Sequence, residues 1–305
     1  MYIVIRTLVA AVLALPLVAA SADAADKIRV VTTIIDLKSL TEAVGGDLVE
    51  VDALVRASQN PHDLEVRPSL MVKVRRADLF VMNGLELDQW GEVVVQGANN
   101  PKVIAGGPGR VDASRGIPVL EVPTTRLDRS MGDVHPFGNP HYTLDPGMAP
   151  IITTNILEGL ARVAPQHRAT FERNRQAFLA RLEAAMSRWT RALEPAKGAK
   201  LVVYHNNLIY LVTRFGLVQV GTVEERPGIP PSPGHLARLI RQIKEEGVKV
   251  ILVEPWSDQT LTARIAQEAG AKMVVLNTKL GAVSGPDAYI ASTNANITTL
   301  AQALR

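Results

Sequence analysis

The chain reads as an α/β protein of two lobes, each a mainly parallel sheet flanked by helices, with one long rigid helix joining them. Three observations predict this. Short apolar runs alternate with helical patterns in both halves of the sequence, the signature of βαβ units. The alternation is interrupted once, by a helical pattern running from Gln166 to about Leu193. Proline and glycine mark the ends of that pattern, with Pro165 before it and Pro195 and Gly198 after it.

The first 25 residues read as an address rather than a structural element. Arg6 gives a positive start, Leu8 to Val18 is an apolar run too short to span a bilayer, and Ala22-Asp23-Ala24 fits a small-residue cleavage site. The expectation is a cleaved secretory signal over residues 1–25. The mature protein is then exported, most simply to a bacterial periplasm, with no membrane insertion after cleavage. The sequence has no cysteine, so lipid attachment through cysteine, disulfides and thiolate metal sites are all excluded.

In the first lobe, residues 26–147, strands are expected at Ile28–Thr33, Val49–Leu54, Leu79–Met82 and Val119–Glu121. Helices are expected at Leu37–Val44, Ser69–Arg76 and Leu87–Gln96, with Pro68 suited to a first turn. The linking helices occupy 148–197. Asp145 can cap their free N–H groups, and Pro146 fits the first turn. Phe171, Phe178, Leu182 and Trp189 recur at near-helical spacing. A helix of that length spans roughly 40 Å, the width of a domain. In the second lobe, 198–305, strands are expected at Lys200–Tyr204, Val218–Val223, Val248–Val253 and Lys272–Leu276. Helices alternate with them at Leu208–Phe215, Gly234–Glu246, Gln259–Ala269 and Tyr289–Leu304. No internal sequence repeat is visible.

Bulk properties narrow the function. The formal charge is +3, and the basic residues are scattered rather than interleaved with aromatics, which argues against nucleic-acid binding. Aromatic residues make up 4% of the chain, too few for a sugar-stacking surface. The segment GGPG at 106–109 has neither the spacing nor the helix of a dinucleotide fingerprint.

Ligands of open α/β sheets gather beyond the carboxyl ends of the strands. By that rule His205 follows LVVY, Glu254 follows VILV and Asn277 follows MVVL, all at one sheet edge. His62 lies in the loop after Val49–Leu54, and His141 sits in GNPHYTLDP just before the linking helices. If the two sheets face each other edge-on, these residues converge. Three neutral imidazoles offer three nitrogen lone pairs and favour zinc, with manganese second. His62, His141 and His205 are therefore the expected ligands, with Glu254 or water as the fourth. Each also has an ordinary reading: loop residues for the histidines, a capping carboxylate for Glu254 and a turn residue for Asn277. His135, six residues before His141, is an accessory candidate. His167 and His235 read as solvated or capping residues.

The segments NPHDLEVRPS, ADLFVMNGLELDQW, NPHYTLDP, YHNNLIYLVTRFGL and ILVEPW, in that order, resemble the metal-binding receptors of zinc and manganese ABC importers, the zinc-uptake or TroA-like family. The likeness covers essentially the whole mature chain. It implies two lobes on a rigid helix, a divalent metal between them, ligands at His62, His141 and His205, and a membrane permease as partner. Two departures stand out. Many members carry an aspartate just after the last strand of the second lobe, where this chain has LNTKLG with Asn277. Zinc-specific members often carry a long His- and Asp-rich loop, reduced here to RSMGDVHPFGNP.

The expected function is thus a monomeric receptor, not an enzyme, that captures Zn²⁺ (or Mn²⁺) and delivers it to an ABC permease. Affinity should fall as pH drops below about 6.5, since ligation needs neutral imidazoles. Asp63 and Glu254 are candidates to orient the rings, and the proline-rich stretch 224–235 to shape the cleft rim. The rivals are a zinc-dependent hydrolase built on the same three histidines, a receptor for a chelated metal or small organic ligand, and an adhesin using the metal for stability.

Overall fold

A computed structural model of the chain describes residues 27–125, 132, 134–277 and 284–305. The expected signal over 1–25 lies outside the described residues. No described helix is long and apolar enough to cross a membrane.

The first sheet contains β1 (Ile28–Thr32), β2 (Val49–Ala53), β3 (Leu79–Met82) and β4 (Arg110–Asp112), all parallel, in the order β2-β1-β3-β4. The central strand β3 is buried along its whole length. An apolar run of that kind suits a parallel strand covered by helices on both faces. The helices are α1 (Ile35–Gly45), α2 (Pro68–Arg75) and α3 (Trp90–Ala98).

The fourth strand is a correction. It forms at Arg110–Asp112, not at Val119–Glu121. The apolar letters of Val119–Glu121 are flanked by Pro118 and Pro123, and Glu121 adopts φ +54°. Neither feature suits a sheet strand. Leu120 instead donates its N–H to the Tyr210 hydroxyl oxygen, and its carbonyl accepts from the N–H of Asn139.

Asp145 caps as expected, its carboxylate accepting from the N–H of Gly147 at 2.7 Å. After α4 (Ala149–Val163), Pro165 breaks the helix and a short 3₁₀ turn leads into α5 (Arg168–Leu193). The 26 residues of α5 make a rod of roughly 39 Å. Its buried face carries Phe171, Phe178, Leu182, Ala185, Trp189 and Leu193, one stripe at steps of three, four and seven residues.

The second sheet contains β5 (Lys200–Val203), β6 (Val218–Thr222), β7 (Val250–Val253) and β8 (Lys272–Val275), again all parallel, in the order β6-β5-β7-β8. Its helices are α6 (Ile209–Arg214), α7 (Pro233–Glu246), α8 (Gln259–Ala269) and α9 (Ala288–Ala303). The two sheets therefore repeat one strand order although the sequence shows no repeat. In each, the first and third strands are neighbours across the point where the order reverses, which opens a crevice at their carboxyl ends.

The lobes share a packed floor. One apolar core runs from Val30 and Leu79 through Ile156 and Phe178 to Val203, Val250 and Leu300. The last helix, α9, folds back over α5 and α1. Its Tyr289 donates its N–H to Ser39 Oγ at 3.0 Å and its hydroxyl to the Thr143 carbonyl at 2.7 Å.

Candidate metal centre

His62 sits in the loop beyond β2. Its N–H donates to Asn60 Oδ1 at 3.2 Å, closing a tight turn. The indole N–H of Trp90 holds the preceding Pro61 carbonyl at 2.8 Å, anchoring the loop to α3.

His141 ends the extended segment before a 3₁₀ turn at Tyr142–Leu144 and is buried, at 7% exposure. Asn139 Oδ1 accepts from its backbone N–H at 3.0 Å and faces its ring Nδ1 at 2.9 Å. The orientation of the Asn139 amide follows from its other end, where Nδ2 donates to Glu121 Oε2 and to the Asn206 carbonyl. An amide oxygen only accepts, so the His141 proton belongs on Nδ1 and its Nε2 lone pair is left for a ligand.

His205 leaves the carboxyl end of β5. Its Nδ1 lies 2.8 Å from Glu224 Oε2. A carboxylate fixes the proton on Nδ1 and turns Nε2 toward the cleft. Glu224 is in place because β6 pairs with β5 as far as Val203 and Thr222, so the residues just beyond both strands emerge side by side. The same Oε2 accepts from the N–H of Gly228 at 3.2 Å.

The fold brings the three histidines together. His62 Nε2 and His141 Nε2 stand 3.0 Å apart. The ring centres are 5.1 Å apart for His62 and His141, 5.3 Å for His62 and His205, and 5.2 Å for His141 and His205. One ligand nitrogen from each lies within 4.8 Å of the others. They open onto a cavity of about 360 Å³ also lined by Leu87, Tyr204 and Trp256.

The other candidates fall elsewhere. Glu254 is fully buried beneath the site and outside the histidine cluster, with Oε2 accepting from Ser257 Oγ at 2.7 Å. Burial raises its pKa, partly offset by the Ser257 bond and the nearby His205. Asn277 exchanges backbone bonds with the Asn296 amide at 3.1 and 2.7 Å. Asp63 accepts from Asn60 Nδ2 rather than from a ring. His235 bonds the Thr222 carbonyl through Nε2 at 2.9 Å. Glu224 and Gly228, in the proline-rich stretch, do line the cleft. His135 comes close, its ring centre 5.1 Å from that of His62. Burial, with the neighbouring His205 as the smaller cause, lowers its pKa to about 4.

Sequence reasoning overlooked Glu224 and Asn139. Glu224 lies just beyond the expected strand Val218–Val223, so the sheet-end rule that selected His205 applied to it equally. Asn139 had a weaker signal, standing two residues before a candidate ligand in a Gly/Pro segment.

Two parallel-sheet lobes on a helical spine, with imidazoles from both converging in the cleft, define a two-lobed cleft-binding protein. The chain belongs to the family described as zinc-uptake complex component A, periplasmic, whose model matches residues 30–303. It is 29% identical over 265 residues to the high-affinity zinc uptake system protein ZnuA of Bacillus subtilis, covering 86% of this chain and 82% of that protein. It is also 29% identical to the zinc-binding lipoprotein AdcA of Streptococcus pneumoniae over 90% of this chain, but spans only 54% of that longer protein. Among solved structures, a crystal structure of ZnuA superposes with a TM-score of 0.77 at 27% identity, covering 92% of this chain and 100% of the other. The binding protein FpvC of Pseudomonas aeruginosa in complex with Mn²⁺ gives 0.78 at 26% identity, covering 91% and 98%.

Proposed function

We propose that this chain is a monomeric, exported receptor of the periplasm that captures a divalent metal ion in the interlobe cleft and passes it to the membrane permease of an ABC importer. Zn²⁺ ranks first and Mn²⁺ second, and His62, His141 and His205 are the ligands. The observation that carries this reading is the spacing of the three imidazoles. An imidazole bound at 2.0–2.1 Å has its centre about 3.2 Å from the zinc, so tetrahedral angles place ring centres about 5.2 Å apart. The three observed spacings run from 5.1 to 5.3 Å. Octahedral geometry with right angles and slightly longer bonds would bring them to about 4.7 Å. The ranking of zinc over manganese rests on the donor set, three neutral imidazoles, which suits a borderline metal better than a harder one.

The surrounding groups fit the same task. Asn139 and Glu224 hold the outward-facing nitrogens of His141 and His205, and the Glu224 carboxylate places a negative charge one residue away from the incoming cation. Ligands from both lobes let the ion join them. The names of relatives support the cargo: zinc uptake for the Bacillus subtilis protein, zinc binding for the streptococcal one. The family match sets the hydrolase reading aside.

Metal analysis of the purified mature protein, followed by competitive titration with Zn²⁺ and Mn²⁺, tests the proposal. One equivalent of zinc bound more tightly than manganese is expected, and His205→Ala should weaken zinc binding by at least 100-fold. Tight Mn²⁺ with negligible Zn²⁺ would reverse the ranking, and an unchanged titration for the variant would remove His205 from the ligand set.

A further inference from the structure

Three imidazoles form one face of a tetrahedral site and leave the fourth position to be supplied. Most acids around the cleft are bonded elsewhere. Glu254 accepts from Ser257 through Oε2 and stands outside the cluster; its Oε1, like His135 Nε2, is buried with no hydrogen-bond partner among the described residues. Glu224 is spent on the far nitrogen of His205, and Asp63 on Asn60. The sequence from Asn277 to Pro286 contains no carboxylate and no imidazole. His135 approaches the cluster from the first lobe, outside the set of three whose ligand atoms lie within 4.8 Å of one another. The ring of His135 lies against that of His62, with centres 5.1 Å apart and planes tilted by 32°. It is 6.2 Å from the ring of His141, nearly perpendicular to it, at 81°. Its Nε2 is buried and has no hydrogen-bond partner among the described residues. A buried ring nitrogen without a partner costs free energy and calls for an explanation. His135 also lines a second cavity together with His141 and His205.

We propose that His135 is the fourth metal ligand, giving a site of four neutral imidazoles. The 5.1 Å spacing to His62 already matches the tetrahedral value of about 5.2 Å, and the spacing to His141 exceeds it by about 1 Å. Ligation therefore requires the His135 ring to shift toward His141 and His205 on metal binding; its neighbours Gly132 and Gly138 have φ +87° and +98°. Both glycines occupy backbone conformations that other residues enter only with strain. A shell without carboxylate favours borderline metals such as zinc over the harder manganese, so His135 also sets selectivity. This inference rests on the receptor reading above and deepens it at the same site.

The test uses Co²⁺ and Zn²⁺ on the full mature protein and on His135→Ala and His135→Asp, with circular dichroism to confirm folding. Wild type should give the intense visible band of four-coordinate Co²⁺. In His135→Ala the band should weaken and shift as water enters, and zinc affinity should fall at least tenfold. His135→Asp should narrow the zinc-over-manganese preference by at least tenfold. An identical cobalt spectrum for wild type and His135→Ala overturns the proposal, even if zinc uptake slows, because a transient capture site leaves the final coordination unchanged. A wild-type protein that binds neither metal ends the receptor reading as well, so the two failures are distinguishable.

Discussion

At the scale of single residues, the proposed site depends as much on the imidazole nitrogens that face away from the cleft as on those that face it. A neutral imidazole carries its proton on one nitrogen, and the wrong tautomer presents N–H to a cation. Glu224 settles the matter for His205 and Asn139 for His141. Asn139 is itself clamped by Glu121 and by the Asn206 carbonyl, so the orientation of one proposed ligand is tied to the strand end that carries another. Replacing Glu224 by Gln keeps the shape but removes the charge and lets the amide turn either end to the ring. Zinc affinity should drop by about 10- to 100-fold without loss of stoichiometry. Isothermal titration in a competing chelator would show this, and an affinity within twofold of wild type would deny Glu224 the orienting role.

At the scale of elements, the turn between β3 and α3 depends on one buried acid. The Asp88 carboxylate accepts from the N–H groups of Asn83 at 2.6 Å and Gly84 at 3.1 Å. Burial pushes its pKa up to about 6, against which those bonds act. The sign for stability follows. Below about pH 4 the acid is protonated in folded and unfolded chains alike. Between about pH 4 and 6 the folded chain keeps a proton that the unfolded chain has lost, so stability falls as pH rises, by about 3 kcal/mol in all. Above about pH 6 that cost is constant. Asp88→Asn cannot ionise, although it loses part of the acceptor. The variant should therefore gain on wild type as pH is raised from 4 to 7 in denaturant unfolding, and a pH-independent difference between the two would refute the account.

Most elements were legible in the sequence because parallel strands buried on both faces leave dense apolar runs, and helix ends carry proline, glycine or a capping acid. The capping of α7 by Ser232 and the stripe on α5 are examples. Val119–Glu121 shows where that reading breaks down. An apolar run between two prolines resembles a strand, but composition cannot say whether a neighbour is available to pair with it. The edge of the sheet went instead to Arg110–Asp112, three residues with little apolar signal that register against Phe80–Met82.

At the scale of the whole molecule, the lobes are not independent bodies on a flexible hinge. Their common core and the return of α9 across α5 and α1 make a large apolar interface, which restrains rigid-body motion. Arg214 adds a paired contact to Asp145, at 2.8 to 3.0 Å, where the second lobe meets the start of the linking helices. Metal binding should accordingly stabilise the protein without closing it far. With free zinc at 100 times Kd the gain is about 2.7 kcal/mol, a rise in Tm on the order of 5 °C for a chain of this size. A chelator should abolish it. Small-angle scattering should show the radius of gyration changing by less than about 1 Å; a contraction of several ångströms would point to a hinged clamp instead.

The sequence alone determined the α/β class, the long spine and the chemical type of the site, because periodicity, helix punctuation and the placement of six histidines at element ends and in loops are local properties of the chain. Tertiary structure alone decided which donors meet. Glu254 and His205 both follow apolar strands at the same sheet edge, yet one carboxylate turns into the interior and the imidazole turns into the cleft. His135 stands beside His62, 73 positions away in sequence. Side-chain direction and the approach of distant loops depend on packing between elements, which no window of neighbouring residues encodes.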